Sequence, residues 1–188
     1  MTILKIKSKG FTLTEILLVL VIAAAIVISA FIIYPKVKSS NNVNKELATV
    51  TQIVTATKSI FGSSSDYTGW SLKALLDAGA LPDTMVLSKD DYGQYRDAWG
   101  GEVNTGTVTP GNGIVNISGY SLVYLIPRDS CAKFVSAVYP ITNGIEINYN
   151  SVKTLSAGEN AIPDISRIAE YCGQDFYNDM ASISLTFY

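Results

Sequence analysis

Lys9-Gly10-Phe11-Thr12-Leu13-Thr14-Glu15 opens an uncharged apolar run over residues 16–34, in which Ser29 is the one strongly polar member. The run has 19 residues, against the roughly 20 that a helix needs to cross a hydrocarbon core of roughly 30 Å. A helix suits that environment because its backbone hydrogen bonds close within the segment. Lys5, Lys7 and Lys9 hold its N-terminal side in the cytoplasm, so the chain beyond Tyr34 is exported. Glu15 is the anomaly. A lone carboxylate costs about 2.5–3.5 kcal/mol if carried to mid-membrane, so it needs a shallow position or a positive partner. No basic residue lies within helical reach inside the run. Cutting the chain between Gly10 and Phe11 supplies one, a new α-amino group four residues before Glu15.

A short basic leader ending in Gly10, with Phe11 and Glu15 as first and fifth residues of the remaining chain, resembles a type IV prepilin. The resemblance implies that a dedicated membrane peptidase cuts after Gly10 and that the Phe11 amine is methylated. It also implies that Glu15 pairs with the first residue of a neighbouring subunit. Other readings compete. A secretory signal has the same order of basic, apolar and small-residue regions, and Ile28-Ser29-Ala30 offers it a cleavage site. A plain single-span anchor explains the length but not the junction. Glu15 also suits the first turn of a helix, where the dipole favours an anion. That is compatible with an assembly role.

Loss of residues 1–10 leaves 178, of which about 50 read as one long helix and roughly 125 as one globular head of common size. Fourteen basic and sixteen acidic residues give −2, and removal of the three leader lysines makes the remainder −5. That charge argues against a nucleic-acid partner. The chain has no histidine, which removes the commonest general base and metal ligand, and it carries no Gly-rich phosphate loop. Asp90-Asp91 lacks the alternating Asp/Asn pattern of a calcium loop and reads as a solvated turn. We therefore expect no enzyme, no metal and no cofactor. Cys131 and Cys172 lie in the exported part, where oxidation is permitted, so a disulfide is the first reading and two buried free thiols the second.

Along the chain, Thr12 or Thr14 can cap the helix, and Pro35 predicts a kink or a short melted segment where the apolar run ends. Related pilins carry a proline a few residues earlier. Val43, Leu47, Val50, Val54 and Phe61, with Ile53 and Ile60 beside them, predict an amphipathic second half ending at Gly62. Residues 71–80 read as a short helix before Pro82, and 83–101 as an irregular surface connection holding Tyr92, Tyr95 and Trp99. A hairpin is expected from 103–109 through Pro110-Gly111-Asn112-Gly113 to 114–117. Further strands are expected at 120–126, 145–149 and 182–187. Helices are expected at 129–138, with Cys131, Phe134, Val135 and Val138 on one face, and at 163–171, with Ile165 and Ile168 inward.

The expected fold is thus α+β: a long N-terminal helix, apolar then amphipathic, packed on an antiparallel sheet with short helices and one disulfide. The expected segments are a leader at 1–10, an assembly helix at 11–35, its amphipathic continuation at 36–62 and a head at 63–188. The element order resembles the type IVb pilins, including the toxin-coregulated, bundle-forming and conjugative thin-pilus types. Ala80-Leu81-Pro82-Asp83 and Ala98-Trp99-Gly100-Gly101-Glu102-Val103 are similar to stretches in that group. The ten-residue leader and Phe11 are more usual in the IVa group and in secretion pseudopilins. The resemblance implies a major pilus subunit for adhesion, aggregation or conjugation, or alternatively a pseudopilin or minor pilin. Its partners would be copies of itself, the prepilin peptidase and assembly machinery, the inner membrane before assembly, and a host or recipient cell surface.

Overall fold

The computed structural model describes residues 12–62, 67–81, 85–88, 94–108, 118–153 and 163–188. The described chain forms two units, divided between Lys38 and Ser39. Helix α1, Leu13–Phe61, belongs to both. It is α-helical without interruption through Pro35, so no turn there is melted. It stops where Gly62 takes φ +64°, a left-handed conformation that glycine adopts without a Cβ penalty.

In the second unit, α2 (Leu72–Asp77), β1 (Val86–Ser88) and β2 (Gln94–Tyr95) follow, then β3 (Val103–Val108) and β4 (Gly119–Pro127). Helix α3 (Arg128–Val138) leads through a 3-10 turn to β5 (Gly144–Ile147) and β6 (Asn150–Lys153). Helix α4 (Ile165–Gly173) and β7 (Met180–Phe187) end the chain. The main sheet is antiparallel in the order β3-β4-β7-β5-β6, and β1 with β2 makes a separate ribbon. Alternation along β4 and β7 sends every second side chain inward, as a sheet with one buried face requires. Leu122 faces Leu185 across the pair and Tyr124 faces Ile183, with Ile145 and Ile147 of β5 continuing the face. An aromatic stack runs over one end, Trp70 on Tyr120 at 4.2 Å and Tyr120 on Phe187 at 5.0 Å between centroids. Such stacks contribute about 0.5–1.5 kcal/mol per pair beyond area burial.

The structure departs from the sequence reading in five places. Strand β3 pairs with β4, Val103 opposite Tyr124 and Val108 opposite Gly119, a partner the sequence reading did not name; the hairpin it expected with 114–117 lies outside the described residues with its turn. Strand β4 brings Tyr120, Leu122, Tyr124 and Ile126, all buried, to the core. Ile165 is not inward but 70% exposed, because Asp164 caps α4 through the Ser166 and Arg167 amides and turns the 168–172 face to the core. The 83–101 stretch contains β1 and β2, with Tyr95 buried. Residues Asn150–Lys153 form an edge strand that their polar composition did not announce.

The fifth departure is the seam of α1. Within the second unit its buried positions are Ser39, Val43, Glu46, Val50, Ile53 and Thr57, while Leu47 and Val54 are half-buried and Ile60 is exposed. The buried stripe is therefore rotated from the purely apolar one, because its polar members bond the head. Thr57 accepts the Trp70 indole N–H at 3.0 Å in a fully buried position. Thr57→Val is expected to destabilise the protein by about 1–3 kcal/mol, since the buried donor loses its acceptor, and Thr57→Ser by much less. Thermal unfolding of the two variants measures the difference, and equal losses would place the effect in the methyl group rather than the bond.

Candidate assembly helix and its anchorage

Every residue from Thr12 to Lys38 is exposed, including the whole apolar run. An exposed helix that is apolar all round is one made for lipid or for other helices. By length and composition it is the one candidate span among the described residues. Within the run the Ser29 hydroxyl is satisfied internally, donating to the Ala25 carbonyl at 2.8 Å.

At its start Thr12 and Glu15 form a reciprocal cap. The Thr12 amide donates to Glu15 Oε2 at 2.8 Å and its hydroxyl to the same oxygen at 3.0 Å, while the Glu15 amide reaches back to Thr12 Oγ1 at 3.4 Å. This Thr-x-x-Glu arrangement fills donors that a helix N-terminus otherwise leaves open. The spacing was legible in the sequence, and it places Glu15 at the mouth of the helix. Gly10 and Phe11 lie outside the described residues, as do Asp90 and Asp91.

The head holds its own half of α1 by polar ties besides apolar contact. Ser39 Oγ lies 2.8 Å from Ser130 Oγ on α3, and Ser130 Oγ also accepts the Trp99 indole N–H at 3.2 Å. Glu46 Oε2 accepts the Ala98 amide at 2.8 Å, and Thr57 accepts Trp70. Burial pushes the Glu46 carboxyl up to about 7; the Ala98 bond opposes this and the nearby Asp97 charge adds to it. Asp97 is raised by the same desolvation despite backbone donors from Gly101 and Trp99. These residues escaped sequence reasoning, whose only signal was a carboxylate, a serine and a threonine at core spacing on one helix face.

Cys131 of α3 and Cys172 of α4 are joined, with Cα atoms 5.7 Å apart and both residues buried. The bond closes the exported-compartment reading in favour of a disulfide. Among the described residues no group of three or more His, Cys, Asp or Glu could hold a metal.

Comparison with known families places residues 40–187 under the model described as PilS N terminal and residues 5–31 under the prokaryotic N-terminal methylation motif. In fold, the chain is similar to a type IV b pilin from Salmonella typhi, with TM-score 0.57 and 20% identity over 76% of this chain and 97% of that one. It is also similar to TcpA, a type IV pilin from Vibrio cholerae El Tor biotype, with TM-score 0.56 and 11% identity over 79% of this chain and 99% of that one. No curated protein matches the sequence.

Proposed function

The chain belongs to the PilS family and is a type IV pilin of the IVb-like kind, and from that premise we propose that it is the major structural subunit of a pilus. The observation that carries this reading is a fully exposed apolar helix in a chain whose head buries a core of its own. Such a subunit has one surface for lipid and, after extraction, the same surface for its neighbours. Its role is structural rather than catalytic, in adhesion, aggregation or conjugation. It waits in the inner membrane as a precursor and then stands on the cell surface. Sheared surface filaments made mainly of this chain support a major pilin. Filaments in which it is a trace component, or a cell-associated chain needed only for secretion, favour a minor pilin or pseudopilin.

In this reading the prepilin peptidase cuts between Gly10 and Phe11 and the Phe11 amine is methylated, which matches the methylation motif over residues 5–31. Intact-mass measurement of protein from cells is expected to give a chain starting at methylated Phe11. A chain starting at Phe31, after Ile28-Ser29-Ala30, would instead mean a secretory signal and end the pilus reading. Pro35 withholds an amide from the Phe31 carbonyl, and we place the bend of the assembling helix there.

A further inference from the structure

Glu46 and Asp97 are two carboxylates in one buried place, 2% and 6% exposed, where α1 meets the turn after β2. Each has one oxygen fully engaged. Glu46 Oε2 takes the Ala98 amide, and Asp97 Oδ1 takes the Trp99 and Gly101 amides, each at 2.8 Å. Gly101 permits this approach, since a Cβ there would lie 2.8 Å from the Leu125 carbonyl and 2.9 Å from Asp97 Oδ2. The other oxygens, Glu46 Oε1 and Asp97 Oδ2, are buried without a hydrogen-bond partner, and so is the Tyr124 hydroxyl from β4. Beside them is a cavity of about 100 Å³ that Lys45, Thr49, Met85 and Arg96 help to line.

Buried polar atoms are paired in nearly all native structures, so three orphans around one point require an explanation. Two ionised carboxylates here would both be desolvated by burial and would repel each other. One proton on the pair relieves the repulsion and the desolvation of one of the two charges. Placed on Glu46 Oε1, it turns an orphan acceptor into a donor beside the Tyr124 hydroxyl and removes the like-charge contact. We propose that Glu46 is a proton-operated latch that fastens the Asp97–Gly101 turn to the long helix when protonated and releases it when ionised. The groups facing Glu46 are Asp97 from the turn, Tyr124 from β4 and Lys45 on its own helix, with Arg96 next to Asp97. Lys45 and Arg96 favour ionisation, and neither makes an ion pair with the two carboxylates among the described residues. The turn carries Trp99, whose indole bonds Ser130 and through it Ser39, so releasing the Glu46 tie removes one of the turn's direct bonds to α1 and leaves the Trp99 side in place.

The sign follows from linkage. A carboxyl held up to about 7 in the folded protein against an ordinary 4.5 stabilises the latched state fully below about pH 4.5 and loses that contribution as pH rises through about 7. Amide exchange of the full chain in detergent micelles, corrected for the intrinsic rate, tests it. Protection of Ala98 and Gly101 is expected to fall on the order of tenfold between about pH 5.5 and about pH 8.5. Glu46→Gln keeps an acceptor for Ala98 without a titrating group and is expected to make protection at both amides independent of pH. A wild-type decline that survives unchanged in Glu46→Gln would overturn the proposal. Carboxyl-carbon NMR of the wild-type chain is a second reading that needs no variant. Glu46 is expected to titrate near neutrality, and a midpoint in the ordinary carboxylate range would overturn the latch. In Asp97→Asn the midpoint is expected to move down, because a neighbouring like charge is removed.

Discussion

Glu15→Gln is expected to leave folding, export and the disulfide intact while cutting filament yield to a small fraction of wild type. In the proposed pilus reading the subunit holds its apolar run in lipid before assembly, and the filament core offers that run the apolar helices of its neighbours. Hydrocarbon is exchanged for hydrocarbon, so burial alone supplies little direction or register. A carboxylate and an ammonium brought together at low dielectric differ, since they attract far more strongly than in water. Removing one partner leaves the other charge buried and unpaired, at a cost of about 3–5 kcal/mol. In the isolated helix Glu15 already serves the Thr12 cap through Oε2. Glutamine serves that cap as well, because the motif accepts Gln in place of Glu. The substitution therefore removes charge and spares the helix terminus. Glu15→Asp keeps the charge on a shorter arm and is expected to fall between the two. Thr12→Ala is the complementary control, costing about 1 kcal/mol of helix capping without removing the charge. Normal filaments in normal number from Glu15→Gln cells would mean that packing of the apolar helices sets the register and that the charge pair does not.

Replacing both cysteines, Cys131→Ala with Cys172→Ala, is expected to lower stability by roughly 3–4 kcal/mol. The two lie 41 residues apart, and closing a loop of that length removes about this much free energy from the unfolded ensemble. For a chain of this size the loss corresponds to a thermal midpoint about 10 °C lower. The loss has a location as well as a size. Helix α4 has nine residues and buries only Ile168 and Cys172, so it possesses few apolar contacts with which to stay docked. Without the bond, amide protection is expected to vanish first in α4 and in the Gln174–Asp179 turn that follows, with β4 and β7 protected up to global unfolding. Thermal melts and exchange of oxidised wild type against the double variant measure both. Uniform loss of protection across the sheet would show that the disulfide supports the whole core rather than one helix.

The apolar run of the long helix and most of the helices and longer strands were legible because each rests on local pattern. Nineteen uncharged residues and a 2-residue alternation in 182–187 carry their meaning in sequence. The Thr12–Glu15 cap was equally local, two residues three apart. What the sequence by itself determined was therefore the long helix, α3 and α4, and the strands β4, β5 and β7. Only the tertiary structure decided that β3 lies against β4, that Asn150–Lys153 joins the sheet edge, and that the buried stripe of α1 runs through Ser39, Glu46 and Thr57. Helical periodicity says that one face is buried but leaves its centre free by about one residue. That freedom is removed by partners far along the chain, Ser130, Ala98 and Trp70, which give three polar groups a bonded place in the core. A polar residue reads as exposed until the donor or acceptor that satisfies it has been brought alongside, and only folding does that.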